Sequence, residues 1–382
     1  MPRGAQAVQR SRKLESGHEC LGNRLRFNPG RGARERALSE MYWPARSLGA
    51  KINFSSALLP PPKETPMRAV AVDKLKGEPR LVELPKPQPK PNQLLVKTAA
   101  TAINPFDWKV ADGIMGDAMP YVFPLVLGQD AAGTVAGVGD KVTRFKVGER
   151  IFGQFFHLPL GEGTFAEFTV VPETATIAAL PKAVSDESGA ALPTAGMTAL
   201  ALVEALDPKT GASVLIVGAT GGVGGFATQL AAAKGLHVLA TAGAADAERM
   251  RHLGASETFD NRRGDLSAQV KQNHPEGVDG IIDLVSDAPA FKALARLVRK
   301  GGSMLSTVGS ADEKALQSQG LRGGNFQLKA STSLLQALAS AVESGRLTVP
   351  LEATIALEDA PAAIARSRAG HAKGKTVIRV TA

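Results

Sequence analysis

From Met67 onward the chain alternates apolar and polar positions in short runs, such as MRAVAV at 67–72 and QLLVKTAATAI at 93–103, broken by proline and glycine. Runs of that length and period predict a mostly antiparallel β region. The pattern continues through residues 128–153, where GTVAGVGDKV carries a turn at Gly139 and Asp140 and VGERIFG follows. At Leu192 the rhythm changes to strand, turn, helix. SVLIVG (213–218) reads as a buried strand, FATQLAAAKG (226–235) as a helix closed by Gly235, and LHVLAT (236–241) as a second strand. A helix over Asp246–Leu253, the strand GIIDLV, a helix over Ala288–Val298 and the strand SMLSTVG continue the alternation. Strand and helix in that order predict a parallel sheet covered on both faces. After Ser331 one helix leads into TVPLEATIAL and KTVIRV, whose composition matches the first region.

The expected fold class is therefore α/β: a Rossmann-type, doubly wound parallel sheet over residues 192–330, beside a mostly antiparallel β domain. That second domain is assembled from residues 67–191 and, after a helix, from the returning segment 331–382. Residues 1–66 show neither period, end in the proline-rich LLPPPKETP, and are expected to form a disordered basic extension. An upstream translation start before a natural Met67 and a genuine leader both remain open for them. Four glutamates, Glu15, Glu19, Glu35 and Glu40, argue against an ordinary organellar presequence.

Composition changes the picture in two places. The formal charge of +9 suggests a nucleic-acid partner, but residues 1–66 contribute +7 of it. The body carries only about +2, so nucleic-acid binding has no support there. The sole cysteine is Cys20, which excludes an intramolecular disulfide and any cysteine-based metal site in the body. The six histidines show no ligand-like spacing, and His157, His237 and His252 read as ordinary structural or surface residues. No segment has the apolar length of a membrane span. A soluble cytoplasmic protein is the expectation, with organellar import by residues 1–66 left open.

The chemistry-bearing motif is GATGGVG, Gly218 to Gly224, placed between a predicted strand and a predicted helix. Glycines there permit a tight turn and close backbone approach, and the helix start offers free amides to a diphosphate. Ala219 stands where the strict dinucleotide fingerprint has its first glycine, so the motif gains its weight from context. LHVLAT ends at Thr241 and Ala242 without the acid that would hydrogen-bond an NAD ribose, which favours NADPH. Arg249 or Arg251 is the candidate cation for a 2′-phosphate, with Thr241 as a hydroxyl donor.

The chain from Met67 on resembles the medium-chain dehydrogenase/reductase superfamily, particularly the zinc-independent quinone oxidoreductases related to zeta-crystallin. The resemblance rests on INPFDWK (103–109), FPLVLGQDAAGTV (123–135), GTFAEFTVVP (163–172), AALPTAGMTAL (190–200), GATGGVG and GHAKGKTVIRV (370–380), in the family's order. It implies that the antiparallel part is GroES-like. Where the superfamily's zinc alcohol dehydrogenases carry a cysteine and a Gly-His-Glu, this chain has Asn104-Pro105 and Gly128-Gln129-Asp130. The segment of the structural zinc lobe reads LPLGEGTF, without cysteine. No metal is expected, since a catalytic zinc needs three such ligands.

The resemblance implies hydride transfer from NADPH to a quinone or an α,β-unsaturated carbonyl. It places Asn104 and Lys109 in the substrate cleft as catalytic candidates, Lys109 to stabilise a developing oxyanion. Thr198, Thr220, Gly221, Gly222, Val223, Gly224, Thr241 and Val308 are the implied cofactor-binding residues, and a homodimer the implied assembly. Asp107 is expected to position Lys109 or cap a turn, and Tyr121 to pack. Two other functions stay open: an NADPH-binding regulatory or nucleic-acid-binding protein without catalysis, and an enoyl-thioester reductase.

Overall fold

The five residues of SVLIV are buried at every position, as a strand flanked on both sides and covered on both faces must be. They lie near the middle of a parallel sheet in a computed structural model that describes residues 66–116, 119–260, 262–370 and 372–380. The expectations for residues 1–65 lie outside the described residues.

The first region runs β1 (Pro66–Val72), β2 (Arg80–Pro85), β3 (Gln93–Ala102), α1 (Pro105–Ala111), β4 (Tyr121–Val126), β5 (Asp130–Val138), β6 (Arg150–Gln154), β7 (Leu160–Glu162), β8 (Phe168–Pro172) and β9 (Thr176–Ala179). Two helices, α2 (Asp186–Ala191) and α3 (Pro193–Leu206), lead out of it. Then come β10 (Ser213–Val217), α4 (Gly222–Ala233), β11 (His237–Thr241), α5 (Ala244–His252), β12 (Glu257–Phe259), α6 (Leu266–Asn273), β13 (Val278–Asp283), α7 (Ala288–Leu294), β14 (Val298–Ser306), α8 (Glu313–Ser318) and β15 (Arg322–Asn325). The described chain closes with α9 (Thr332–Glu343), β16 (Leu351–Ala356), α10 (Ala360–Arg368) and β17 (Lys375–Arg379).

Strands β10 to β15 form an all-parallel sheet in the order β12-β11-β10-β13-β14-β15. A second sheet follows the order β16-β17-β3-β5-β6-β9, with β8 also on β3, and all its pairs but β16–β17 are antiparallel. A smaller sheet joins β2, β1, β4 and β7. This is the expected Rossmann-type sheet with a GroES-like, mostly antiparallel partner. Among the described residues no helix is long and apolar enough to cross a membrane.

One hydrophobic cluster connects the two larger sheets. It takes Ala100, Ala132, Phe152 and Val377 from the antiparallel sheet, Leu192, Met197 and Leu202 from the α2–α3 segment, and Val214, Ile216 and Phe226 from the parallel side. The functional cleft opens beside this shared core. Sequence periodicity missed α1, because only seven residues follow Asn104 and a proline opens them. It also ran the helix at Ala288 through to Val298, whereas α7 stops at Leu294 and a 3₁₀ turn over Ala295–Leu297 leads into β14. Short elements give too few periods to read. Phe226, fully buried in the shared core, sits on the helix that follows the glycine-rich turn. Phe226→Ala is expected to cost about 3–5 kcal/mol, read as a lower urea midpoint; a loss under about 1 kcal/mol would contradict this packing.

Candidate active site

The turn from β10 into α4 is built by glycine. Gly221 is the extended N-cap of α4, and Gly222 begins the helix. A Cβ on Gly224 would lie 2.3 Å from the Gly218 carbonyl oxygen, so the helix packs on the strand end only because that position is bare. Thr241 at the end of the neighbouring β11 receives the Gly218 amide on its hydroxyl at 2.9 Å and fixes the turn from the side. Gly221, Gly222, Val223 and Gly224 border one cavity together with Asn104 and Lys375. The orphan amides of the first turn of α4 therefore lie at the wall that an anionic ligand would approach.

The same cavity is lined by members of a buried ionic network. Asn104 precedes α1, with Pro105 in its first turn, and donates from Nδ2 to Asp130 Oδ2 at 2.9 Å and more weakly to the Ala102 carbonyl at 3.3 Å. Its Oδ1 accepts from Lys375 Nζ at 2.7 Å, and the same ammonium donates to the Ile103 carbonyl at 2.9 Å. Asp130 also accepts from the Thr194 amide and hydroxyl at 2.9 and 2.7 Å. The Thr194 hydroxyl in turn accepts from Gln129 and Gln154. Four elements, α1, β5, α3 and β17, thus meet through side chains withdrawn from water.

Burial sets the proton inventory. Desolvation lowers the affinity of Lys375 for its proton, while Asp130 and Asp107 favour its charge. Burial likewise raises Asp130, opposed by Lys375 and the Thr194 and Asn104 donors. Burial pushes the Asp107 carboxyl up to about 8; its acceptance from the Asn104 amide works against this, and repulsion by Asp130 adds to it. Three donors and the nearby Lys375 favour the charged form of Asp130 against its burial, whereas Asp107, pushed up by burial, holds a proton at neutral pH.

The other sequence candidates fall in different places. Thr220 and Thr241 line a second cavity, which shares Gly218, Val285, Gly370 and Ala372 with the first. Lys109 borders neither; its ammonium lies 5.6 Å from the Trp108 ring centroid. Thr198 donates its hydroxyl to the Thr194 carbonyl at 2.6 Å within α3, and Val308 is partly exposed beyond β14; neither lines a cavity with Asn104. Arg249 bonds the Thr220 carbonyl and Asp246, and Arg251 bonds Thr258. The arginine that lines the second cavity is Arg262, from the turn after β12, with Lys373 beside it. Asp107 caps α1 through Asn104, and Tyr121 packs on Phe123 with ring centroids 6.2 Å apart.

Lys375 was missed, although the sequence held a signal: a lysine opening the otherwise apolar strand KTVIRV. Asp130 within LVLGQDAAG is the matching one, since charges inside apolar runs are buried only when paired. Two histidines also converge: His237 and His274, far apart in sequence, both bond Glu257 at 2.8 Å, which spacing along the chain cannot reveal.

Comparison with known proteins agrees with this architecture. Residues 90–182 match the alcohol dehydrogenase GroES-like domain, and residues 253–378 match the zinc-binding dehydrogenase family. A chloroplast envelope quinone oxidoreductase homolog of Arabidopsis thaliana is 32% identical over 311 residues, covering 78% of this chain and 92% of that one. The chain belongs to the quinone oxidoreductase family of the medium-chain dehydrogenase/reductase superfamily. Among solved structures, the quinone oxidoreductase of Coxiella burnetii superposes with a TM-score of 0.75 at 26% identity, covering 83% of this chain and 100% of that one. A mycobacterial protein complexed with NADPH does so at 0.71 and 27%, covering 82% and 100%.

The family that residues 253–378 match is named for zinc, and the cleft residues do not fit that ion. Three cysteine, histidine or carboxylate ligands are needed. Beside Asn104 the nearby carboxylate Asp130 is committed to Thr194 and Asn104, and Lys375 already supplies a positive charge. Among the described residues, the one group of three ligand-type side chains close enough to share an ion is His237, Glu257 and His274, none of which lines the cleft.

The Asp107 proton gives a stability test. The folded chain keeps that proton to about pH 8, whereas an unfolded aspartate releases it near pH 4. Between those values the folded state binds more protons, so this group's contribution makes stability fall as pH rises. Asp107→Asn still accepts from the Asn104 amide but cannot titrate. Urea midpoints measured across this window are expected to fall less steeply with pH in the variant than in the wild type; parallel curves would show that Asp107 is ionised throughout.

Proposed function

We propose that the protein transfers hydride from NADPH to a quinone or an α,β-unsaturated carbonyl without using zinc. The observation that carries this reading is that one cavity is lined together by the α4 amino terminus, Asn104 and Lys375. The family relationship supports it: the Arabidopsis relative is named as a quinone oxidoreductase homolog, and the mycobacterial neighbour was solved with NADPH.

The glycine-rich turn accounts for the cofactor diphosphate. Gly221 to Gly224 present main-chain amides where side chains would obstruct, and the helix start favours negative charge. The 2′-phosphate is assigned to Arg262 and Lys373 in the adjoining cavity, with the Thr241 strand end offering no acid against it. Asp246 also lines that cavity, but Arg249 and Lys373 already engage its carboxylate.

When bound, the dihydronicotinamide supplies the hydride. The chain's contribution is to orient the acceptor and stabilise the negative charge that grows on its oxygen. Lys375 suits that task. An ammonium has three N–H donors; two bond Ile103 and Asn104, and this scheme assigns the third to an acceptor in the cavity that Lys375 lines. Asn104 is fully occupied and acts as the clamp that aims the ammonium. Lys109, the cation implied by resemblance, is replaced in this scheme by Lys375. Location in the cytoplasm, unless residues 1–66 direct import, and a homodimeric assembly complete the proposal.

Purified protein mixed with NADPH and a panel of quinones and enones is expected to show acceptor-dependent loss of cofactor absorbance. No loss with any member would overturn the reductase reading. Lys375→Gln keeps a donor for Asn104 while removing the charge. Turnover is expected to fall roughly 10²-fold, the scale of losing one oxyanion donor, with the NADPH Kd nearly unchanged; unaltered turnover would remove Lys375 from the mechanism. For cofactor choice, Arg262→Ala is expected to weaken NADPH binding about 10-fold or more, as loss of a charge-assisted contact does, and to leave NADH binding unchanged. Equal losses for both cofactors would show that Arg262 does not meet the 2′-phosphate.

A further inference from the structure

The parallel sheet has a second group of converging polar side chains, at the end opposite the cofactor cleft. His237 opens β11, Glu257 opens β12 beside it, and His274 caps the carboxyl end of α6. Thr241, at the other end of β11, is the residue that lines the cofactor-side cavity. Four strand residues of rise separate the two ends, roughly 13 Å. The cluster is therefore apart from the reaction centre.

Both histidines reach the carboxylate through Nε2. Each Nε2 lies 2.8 Å from Glu257 Oε1, and the three ligand atoms all fall within 4.8 Å of one another. The imidazole centroids are 5.9 Å apart with planes tilted by 54°, so the rings converge on the carboxylate without stacking. The second carboxylate oxygen accepts from Asn273 Nδ2 at 2.9 Å, which fixes the orientation of Glu257 from behind. A ligating carboxylate held by an outer hydrogen bond in this way is the arrangement that tunes metal sites. His274 and Glu257 are largely shielded, while the His237 side chain is 43% exposed, so solvent has one side of entry.

We propose that His237, Glu257 and His274 bind a divalent transition-metal ion of the zinc class as a structural clamp on the parallel sheet. Two imidazole nitrogens and one carboxylate oxygen form a zinc ligand set, with water in the fourth position. At zinc bond lengths, tetrahedral ligands stand roughly 3.4 Å apart. Glu257 needs to withdraw from each imidazole by about half an ångström, a shift within reach of a partly exposed side chain. Glu257 is charged at any pH where the protein is handled: burial raises its carboxyl, but the His237, Asn273 and His274 donors outweigh that and hold it at about 2. Binding draws on the Nε2 lone pairs and so competes with protons on both imidazoles, giving an affinity that rises with pH. The bound ion ties the start of β11 to β12 and to the end of α6, and acts independently of the reaction proposed above.

The test uses the full chain, stripped with chelator and titrated with Zn²⁺ by calorimetry, with Co²⁺ as the spectroscopic probe of coordination. The wild type is expected to bind one more Zn²⁺ than the His237→Gln/His274→Gln double variant, and to show a zinc-dependent rise in Tm and a four-coordinate Co²⁺ absorption that the variant lacks. Comparing the two by difference cancels any contribution from His18 or Cys20. Glu257→Gln preserves an acceptor for the histidines and serves if the double variant does not fold; it is expected to weaken Zn²⁺ at least 10-fold, with the same circular dichroism as wild type. Equal stoichiometry and equal Tm shifts in wild type and variants, meaning adventitious metal only, would overturn the proposal. So would an absence of Zn²⁺ binding.

Discussion

The Lys375 ammonium, clamped between the Asn104 side chain and the Ile103 carbonyl and balanced by Asp130, is the interaction on which the cleft depends. It joins the last strand of the described chain to the loop before α1, and Asp130 extends the tie to the first turn of α3. Removing one member would leave a buried charge without its partner, which is far costlier than the pair's net contribution to stability. The returning strand β17, paired with β3, is what delivers Lys375 to Asn104.

The parallel sheet supplies another part of the lining. Because its strands run the same way, their carboxyl ends line up, and the glycine-rich turn after β10 and Thr241 at the end of β11 fall side by side. That edge is where open α/β sheets bind ligands. The opposite edge carries the His237–Glu257–His274 group, brought together by the same parallel pairing of β11 and β12. One sheet thus presents two unlike sets of polar groups at its two ends, one suited to phosphate and the other to a metal cation.

Much of this was legible in the sequence. SVLIVG, GATGGVG and FATQLAAAKG give strand, turn and helix in order because buried parallel strands are continuously apolar and their helices amphipathic. The fold class followed from such runs, and Asn104 followed from the resemblance. The charged partners did not. Lys375 lies 271 positions from Asn104, and Arg262 sits on a turn with no period of its own, so neither is placed by local pattern. The resemblance implies Lys109 instead, and the missing acid after LHVLAT points to Arg249 or Arg251 on the following helix. The histidine cluster escaped local pattern too, as its members come from two strands and a helix end.

The account makes one spatial claim above all: the nicotinamide ring lies against Asn104 and Lys375 while the diphosphate rests on the α4 amino terminus. A crystal structure of the protein with NADPH bound measures this directly. The account predicts diphosphate oxygens within hydrogen-bond distance of main-chain amides in the Gly221–Gly224 segment, and the reactive carbon of the nicotinamide facing the cavity bordered by Lys375. A dinucleotide bound away from that turn, or a nicotinamide separated from Lys375 by intervening side chains, would contradict it.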